Sequence, residues 1–313
     1  MTMRAIQLQQ FSGPLNVVDV ADPVAGPDEV LVDLTYGTIN PLDVWCCNGN
    51  FAAITQLPHT PGAEGLGTAN GKTVIVNGVG VGIARSGTYA QRIAAPAGAL
   101  TVVPDDIDPL QAATLGIAGV TAFRCLVTKG AATPNDTVLV TGASGGVGSL
   151  VVQLAHQRGS RVLAQTSNVD KADELFDLGA DRVIVATGGD DIGRALEGEQ
   201  PTVVVDGVAG TFVSALIDCL APNGRYVNYG TSGGTAVSID MRVLYRKGIT
   251  LCGYTGLLET NRTDAFDALF DALRSGKLRV PIDAVLPLNE AGAAHARILA
   301  KGVRGKILLN VNE

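Results

Sequence analysis

Metal-binding side chains are scarce in this sequence, which has five cysteines and three histidines among its 313 residues. His59, His156 and His295 are far apart, and the cysteines show no paired spacing. Cys46 and Cys47 are adjacent, whereas the two cysteines of a zinc hook are usually separated by at least two residues. The sequence therefore predicts no metal site, and the odd number of cysteines predicts free thiols.

Long apolar segments and an excess of basic residues are also missing. No apolar run approaches the roughly 18 residues of a membrane span, and the first residues have no apolar core typical of a signal peptide. The 23 lysines and arginines are outnumbered by 30 aspartates and glutamates, which gives a net charge of −7. This acidity disfavours nucleic acid and anionic membranes as partners. We expect a cytoplasmic protein that does not bind membranes.

The length and composition predict two globular domains. Hydrophobic residues make up 46% of the chain and charged residues 17%, which is enough apolar material for two cores. The 39 glycines are dispersed among apolar strands, so they indicate many tight turns.

Residues 136–171 form the most informative stretch. Thr137–Thr141 and Arg161–Thr166 are apolar or β-branched runs typical of buried strands, and helical spacing begins near Ser149. Four glycines stand between the first strand and the helix, at Gly142, Gly145, Gly146 and Gly148. A glycine turn without a ligand is the alternative interpretation. The order strand, glycine turn, helix and strand favours a dinucleotide site, because the glycines and the helix amides can approach a pyrophosphate closely.

The end of the second strand indicates which dinucleotide binds. NAD enzymes usually place a carboxylate there to accept a hydrogen bond from the ribose 2′-hydroxyl. Here the strand ends in Thr166, Ser167 and Asn168, with Lys171 close behind. Asp170 comes too late in the chain, and we expect it to cap the next helix. The missing acid and the nearby lysine favour NADPH, although a solvated lysine is an equally simple interpretation of Lys171 alone.

Short apolar strands alternate with helices from residue 136 to residue 256, which predicts a doubly wound parallel sheet of six strands. We predict the strands at 137–141, 161–166, 182–185, 202–206, 225–229 and 249–253. The flanking regions differ. Extended segments at 4–8, 15–20 and 29–35 predict a β-rich domain, and Asp108 followed by Pro109 predicts the start of a helix.

Several motifs together resemble one protein family. They are Asn40-Pro-Leu-Asp43, Pro61-Gly-Ala-Glu64-Gly, Gly87-Thr-Tyr89-Ala, the glycine loop ending at Gly148, Leu178-Gly-Ala-Asp181, Val205-Asp206-Gly-Val and Arg304-Gly-Lys306. In this order they resemble the medium-chain dehydrogenase/reductase superfamily, and within it the zinc-free, zeta-crystallin-like quinone oxidoreductases. The resemblance implies an α/β protein with a GroES-like β-rich catalytic domain (1–118 and 257–313) and a Rossmann domain (119–256). It also implies a homodimer that pairs through the edge strand at 249–253.

The resemblance also bears on the metal. Zinc-dependent relatives carry a cysteine at the position of Asn40, a histidine at that of Ala63 and a cysteine near Ile117. None of the three residues present can hold zinc in a site built from nitrogen and sulfur ligands. Without this Lewis acid, hydride transfer requires an acceptor that is already activated.

The resemblance also implies a set of site residues. Asn40 and Asp43 are the candidate catalytic residues, although Asn40 beginning a turn and Asp43 capping a helix explain them equally well. Relatives often have tyrosines where Trp45 and Phe51 stand, so a tyrosine acid would have to come from Tyr89 or Tyr254, although packing in the core or against the cofactor is the simpler interpretation of each. The predicted cofactor-binding residues are Thr121, Ser144, Gly145, Gly146, Val147, Gly148, Thr166, Ser167, Lys171, Val208, Tyr229 and Gly230.

The sequence therefore predicts an NADPH-dependent, zinc-independent oxidoreductase. The expected substrate is a quinone or an α,β-unsaturated carbonyl such as an enone or alkenal, bound in a cleft between the domains. Reduction of an acrylyl-CoA-type thioester differs only in substrate. The alternative is a weakly catalytic NADPH-binding sensor or nucleic-acid-binding protein, which the missing tyrosines motivate.

Overall fold

The computed structural model describes residues 2–300 and 302–313. These residues form two compact units. Of the described residues, the first unit contains 2–117, 256–261, 280–300 and 302–313, and the second contains 118–255 and 262–279.

The helices and strands of the amino-terminal region are as follows: β1 Thr2–Gln7, β2 Asn16–Ala21, β3 Glu29–Ile39, α1 Pro41–Cys47, β4 Glu64–Ala69, β5 Lys72–Asn77, β6 Arg92–Pro96, β7 Leu100–Val102 and α2 Pro109–Ala112. A helical segment then runs from Leu115 to Lys129. Its centre, α3 (Val120–Phe123), is α-helical and is flanked by two stretches of π-helix.

The central region alternates strands and helices: β8 Thr137–Val140, α4 Gly146–Gln157, β9 Arg161–Thr166, α5 Ala172–Asp177, β10 Arg182–Val185, α6 Gly189–Ala195, β11 Val203–Asp206, α7 Phe212–Cys219, β12 Arg225–Asn228, α8 Met241–Lys247 and β13 Thr250–Gly253. The carboxy-terminal region contains α9 Thr263–Arg274, β14 Ile282–Pro287, α10 Ala291–Leu299 and β15 Lys306–Asn310.

The first unit is built on a mostly antiparallel seven-stranded sheet. The strand order is β14-β15-β3-β4-β5-β7, with β6 paired to β3, while β1 and β2 form a separate antiparallel pair. Alternate side chains of these strands enclose an apolar core that includes Val32, Val76, Ile93 and Leu309. The predicted GroES-like β-rich domain is confirmed.

The second unit contains six parallel strands in the order β10-β9-β8-β11-β12-β13. The chain runs outward from β8 through β9 to β10 and then returns to β11 on the other side of β8. The strand order therefore reverses between β8 and β11, which is where doubly wound folds bind ligands. Leu139, Leu163 and Val204 are completely buried in the sheet, and the predicted Rossmann domain is confirmed.

One part of the predicted domain division is wrong. Residues 257–313 were all assigned to the β-rich domain, but Arg262–Arg279 packs within the second unit. Phe266 and Leu269 of α9 are buried, and Asp264 accepts two hydrogen bonds of 2.7 Å from the Arg124 guanidinium. The apolar face of α9 and this ion pair hold the helix in the unit that contains Arg124.

Two local predictions concern helix caps. Asp108 caps α2 by accepting a hydrogen bond from the Leu110 amide, as predicted. Asp170 is not the cap that was expected after β9. Asn168 takes this role and accepts from the Asp170 amide at 2.9 Å, because it stands two residues closer to the strand. Within the described ranges, no helix is both long enough and apolar enough to cross a lipid bilayer.

Candidate functional site

The glycine loop joins β8 to α4 at the edge where the parallel strands end. Gly142 has a φ of +59°, a left-handed conformation that favours glycine, and Gly145 is the N-cap of α4. A Cβ atom on Gly148 would lie 2.3 Å from the Gly142 carbonyl oxygen, so no side chain fits there. The absence of side chains brings the first turn of α4 against the end of β8.

Strand β9 holds the loop in place. The Gly142 amide donates to the Gln165 side-chain oxygen, and the Ala143 amide donates to the Gln165 carbonyl, both at 2.9 Å. The other end of the Gln165 amide donates to the Ala186 carbonyl at 2.7 Å. Gln165 was not among the predicted site residues. Its sequence signal was a polar residue inside an otherwise apolar strand.

Helix α4 directs its amino-terminal end toward this loop. The first amides of an α-helix have no acceptor within the helix, and they carry partial positive charge. Ser144, Gly145, Gly146 and Val147 remain half-buried, so the loop is not covered by the unit's own core. This combination of accessible amides and a loop without bulky side chains fits a pyrophosphate.

The end of β9 places the residues predicted to recognise the 2′-position. Thr166 is buried, whereas Ser167 and Asn168 are exposed. Lys171 is the last residue of a short 3₁₀ turn, Val169–Lys171, and only 7% of its surface is exposed to solvent. Ser167 is therefore accessible at this edge, while most of Lys171 is covered.

Val208, Tyr229 and Gly230 lie on the loops that follow β11 and β12. The Val208 side chain lies 3.4 Å from the position that a Cβ on Gly142 would take. The main-chain carbonyl of Val208 accepts from the Gly233 amide at 2.7 Å, and the Tyr229 ring packs against Gly207. The structure thus brings Val208 beside the glycine loop, with Tyr229 and Gly230 on the next loop. Thr121 lies on α3, which packs against α4.

Asn40 and Asp43 lie in the first unit, at the start of α1, and both are almost completely buried. Asn40 is the N-cap of α1, and its main-chain amide donates to Asp43 Oδ2 at 2.7 Å. Asp43 Oδ1 accepts from the Ala63 amide at 2.8 Å. These contacts are the ones expected if Asn40 begins a turn and Asp43 caps the helix that follows. Asp43 holds the start of α1 and the segment before β4 together.

The Asn40 side chain is also fully engaged. Its nitrogen donates to the Thr38 carbonyl and to Glu64 Oε2, at 3.2 and 3.0 Å. Its oxygen accepts from Lys306 Nζ at 2.5 Å. Glu64 and Lys306 are buried as well, and the pKa of Lys306 is lowered by burial against the opposing effect of Glu64. Neither was predicted as a site residue, because their partners are distant in sequence.

Tyr89 and His295 complete the buried polar cluster. The Tyr89 hydroxyl donates to Asp43 Oδ2 at 3.0 Å and lies 3.3 Å from His295 Nε2. Burial raises the pKa of Asp43 to about 6, against the lowering effect of its hydrogen bonds. Burial also lowers the pKa of His295 to about 4. Tyr89 is fully buried and uses its proton on Asp43, so it is not available as a proton donor to a substrate.

The three positions that carry zinc ligands in relatives are tied to carboxylates. Glu64 accepts from Asn40 Nδ2 and from the Ile117 amide, the latter at 2.8 Å, and Asp43 accepts from the Ala63 amide. Among residues 2–300 and 302–313, no three His, Cys, Asp or Glu side chains are placed to share a metal ion. The side chains of Asn40, Ala63 and Ile117 offer no nitrogen or sulfur ligand of the kind that holds zinc in those relatives.

Comparisons with known proteins identify the family. A family model described as zinc-binding dehydrogenase matches residues 178–309. The mitochondrial enoyl-[acyl-carrier-protein] reductase of Bos taurus is 30% identical over 313 residues, which cover 92% of this chain and 83% of that protein. The chain belongs to the medium-chain dehydrogenase/reductase superfamily. It is an oxidoreductase of this superfamily, whose members depend on NAD(P).

Further relatives differ in the reactions that their names describe. The acrylyl-CoA reductase of Ruegeria pomeroyi is 28% identical, covering 91% of this chain and 90% of that protein. The quinone oxidoreductase of Lama guanicoe is also 28% identical, with 98% and 97% covered.

Solved structures share the whole fold. A mycobacterial protein complexed with NADPH matches with a TM-score of 0.87 and 28% identity, covering 98% of this chain and 99% of that one. An NAD-dependent alcohol dehydrogenase matches with a TM-score of 0.89 and the same identity and coverage. The fold therefore occurs with both nicotinamide cofactors.

Proposed function

We propose that this chain is a zinc-independent oxidoreductase that uses NADPH to reduce a quinone or an α,β-unsaturated carbonyl. The observation that carries the proposal is the edge of the second unit. A glycine loop opens onto the start of α4, and the neighbouring strand β9 is followed by the exposed Ser167, with no carboxylate before Asp170. A carboxylate at this point would repel a 2′-phosphate, whereas hydroxyl and amide groups can donate to it.

The cofactor-binding residues fall into three groups along this edge. The amides of the glycine loop and of the first turn of α4 would bind the pyrophosphate. Ser167 and Lys171, with Thr166 at the strand end, would bind the 2′-phosphate. The third group would flank the nicotinamide and consists of Thr121, Val208, Tyr229 and Gly230.

The cofactor supplies a hydride when it is bound, and the chain's residues supply its position. Asn40, Ala63 and Ile117 offer no set of zinc ligands, so no Lewis acid is available at this point to polarise an alcohol or an unactivated ketone. Quinones and enones accept a hydride without that help. Catalysis would then come mainly from alignment of the two reactants.

Asn40 and Asp43 would act as positioning residues. The hydrogen-bonding atoms of the Asn40 side chain are already paired, and both Asp43 oxygens accept from groups of the protein. We propose that the two residues fix the turn between β3 and α1 and do not touch the substrate.

A second candidate function rests on the missing proton donor. Tyr89 is buried against Asp43, and positions 45 and 51 carry tryptophan and phenylalanine. A chain of this kind could bind NADPH as a redox sensor and turn over slowly or not at all. An acidic chain disfavours the nucleic-acid-binding version of this candidate.

The test is a calorimetric titration with NADPH and with NADH, followed by turnover assays with 9,10-phenanthrenequinone and with an enone. We expect NADPH to bind about tenfold or more tightly, because a charge-assisted hydrogen bond to the 2′-phosphate contributes roughly 1.5–3 kcal/mol. Oxidation of NADPH in step with either acceptor supports the enzyme, and binding without turnover supports the sensor.

Matched variants examine the cofactor preference. K171M and S167A should weaken NADPH binding and leave NADH binding unchanged within about twofold, because NADH has no 2′-phosphate. K277M removes an exposed lysine of the same unit and should change neither. Tighter binding of NADH by the unaltered protein would contradict the assignment of Ser167 and Lys171.

A further inference from the structure

Asp206 is the last residue of β11 and is completely buried. Its carboxylate accepts from four donors. Two are the hydroxyl groups of Thr141 and Tyr226. The other two are main-chain amides of the following loop, from Val208 at 2.8 Å and from Ala209 at 3.1 Å to each oxygen. Both carboxylate oxygens are therefore used to hold other groups in place.

These donors lie on both sides of the point where the strand order reverses. Thr141 directly follows β8 and leads into the glycine loop, and its hydroxyl also accepts from the Gly207 amide at 3.2 Å. Tyr226 belongs to β12, on the other side of β11. Asp206 thus connects the carboxyl ends of β8 and β11 with a side chain from within β12, at the edge where a doubly wound sheet binds its ligand.

The loop after β11 has a conformation that needs this anchor. Ala209 has a φ of +56°, which a residue with a side chain rarely adopts. Its amide points at both Asp206 oxygens, and the preceding Val208 side chain is held beside Gly142. The carboxylate fixes the strained residue and thereby fixes where Val208 lies relative to the glycine loop.

We infer that Asp206 is a positioning residue for the nicotinamide half of the dinucleotide, acting through Thr141 and the Val208–Ala209 amides. This inference rests on the proposed binding of NADPH at this edge. None of the four donors to the Asp206 carboxylate comes from the end of β9, where the adenosine 2′-phosphate is expected. Loss of the Asp206 carboxylate should therefore weaken binding of the nicotinamide half and leave binding of the adenosine 2′-phosphate half unchanged.

The test compares two ligands by calorimetry, NADPH and adenosine 2′,5′-bisphosphate, on the full-length protein. The D206N substitution keeps the size of the side chain but replaces one acceptor oxygen with a donor. We expect D206N to weaken NADPH about tenfold or more while the bisphosphate binds within about twofold of the unaltered protein. Equal weakening of both ligands would show general damage to the unit and would overturn the inference.

The control is a buried aspartate at the opposite edge of the same sheet. Asp136 precedes β8 and accepts from Thr133, Thr202 and Arg225. D136N removes a comparable hydrogen-bond network at the amino end of the strands, where no ligand is expected. It should lower the melting temperature but leave the ratio of the affinities for NADPH and the bisphosphate unchanged. A loss of NADPH affinity alone in D136N would also overturn the inference.

Milder variants keep the test decisive if D206N does not fold. T141V and Y226F each remove one donor to Asp206, and each should weaken NADPH more than the bisphosphate. Unchanged NADPH binding in both variants would contradict the positioning role. If the unaltered protein bound the bisphosphate but not NADPH, or bound neither, the proposal that NADPH is the cofactor would be wrong. That result differs from equal weakening of both ligands by D206N, which would overturn only the role of Asp206.

Discussion

Lys306 Nζ lies 2.5 Å from Asn40 Oδ1, although 266 positions separate the two residues in the chain. The same ammonium group donates to the Ile39 carbonyl at 3.1 Å and lies 3.6 Å from Glu64 Oε2. Strand β15 thereby places one buried cation between the end of β3 and the start of β4. The charge of Glu64 is balanced inside the core of the first unit.

Removing this cation should be strongly destabilising. In K306M the buried carboxylate of Glu64 loses its partner, and breaking a buried ion pair from one side usually costs about 3–5 kcal/mol. We expect the free energy of urea unfolding to fall by this order. The double variant K306M/E64Q should recover most of the loss, because Asn40 can then rotate its amide and accept from the new side chain.

The exposed pair Arg85–Glu29 provides the control, with its side chains 51% and 24% exposed. R85M should change the unfolding free energy by no more than about 1 kcal/mol, as expected for a surface ion pair. If K306M were as mild as R85M, the ammonium group would not stabilise the buried cluster.

Asp43 and His295 should influence the pH dependence of stability in opposite directions. The pKa of Asp43 is raised by burial from 3.8 to about 6, so its contribution to stability is present below pH 3.8 and is lost as the pH rises through about 6. The pKa of His295 is lowered by burial from 6.5 to about 4, so its contribution is present above pH 6.5 and is lost as the pH falls toward 4. Between pH 4 and 6 the two slopes nearly cancel.

The H295Q substitution should reveal the slope of Asp43. We compare the change in unfolding free energy between pH 5 and pH 7 in the two proteins. This change should be about 1–2 kcal/mol less favourable in the variant, because the variant lacks the opposing contribution of His295. Urea unfolding at several pH values measures this. H156Q alters an exposed histidine of α4 and should follow the unaltered protein. Parallel curves for H295Q and H156Q would contradict the opposed titration.

Much of the second unit could be predicted because its information is local. Strands β9 and β10 begin and end at the predicted residues, since apolar β-branched runs and turn residues are neighbours in sequence. Helix α4 begins at Gly146, three residues before Ser149, where helical spacing was predicted to begin, although glycine has a weak helix propensity.

The buried polar residues could not be predicted in the same way. In the sequence, Asp206 is the end of an apolar strand, and His295 is a single histidine far from the other two. Their roles depend on partners such as Tyr226 and Tyr89, which only the tertiary fold brings close. The assignment of 262–279 to the wrong unit has the same origin, because Asp264 finds Arg124 across 140 positions of sequence.

The close approach of α4 to the glycine loop leads to a third prediction. G148A would place a methyl group 2.3 Å from the Gly142 carbonyl oxygen, so the helix and the loop must move apart. We expect dinucleotide binding to weaken by about tenfold or more, measured by calorimetry. G193A on α6 is the matched control, since its Cβ meets nothing within 4 Å. It should leave binding intact and stabilise the protein by up to about 1 kcal/mol. Normal binding by G148A would contradict the close-packing argument.

The edge of the parallel sheet leads to a fourth prediction. Strand β13 ends the sheet order, and the region around it keeps large apolar side chains 44–69% exposed at Val237, Met241, Tyr245 and Leu251. An exposed edge strand beside apolar side chains is suited to pairing with a second copy of the chain. We expect a dimer of the 32.1 kDa chain in light scattering after size exclusion, and a monomer for the Y245E/L251D variant.

The matched control for the dimer is L299D, which alters an equally exposed leucine on α10 in the other unit. It introduces the same kind of charge into an exposed apolar position of the first unit, so the dimer should persist. Glutamate and aspartate at the edge should separate the copies because burying an unpaired carboxylate in an interface is unfavourable. A dimer that survives Y245E/L251D, or one that dissociates equally in L299D, would show that association does not use the β13 edge.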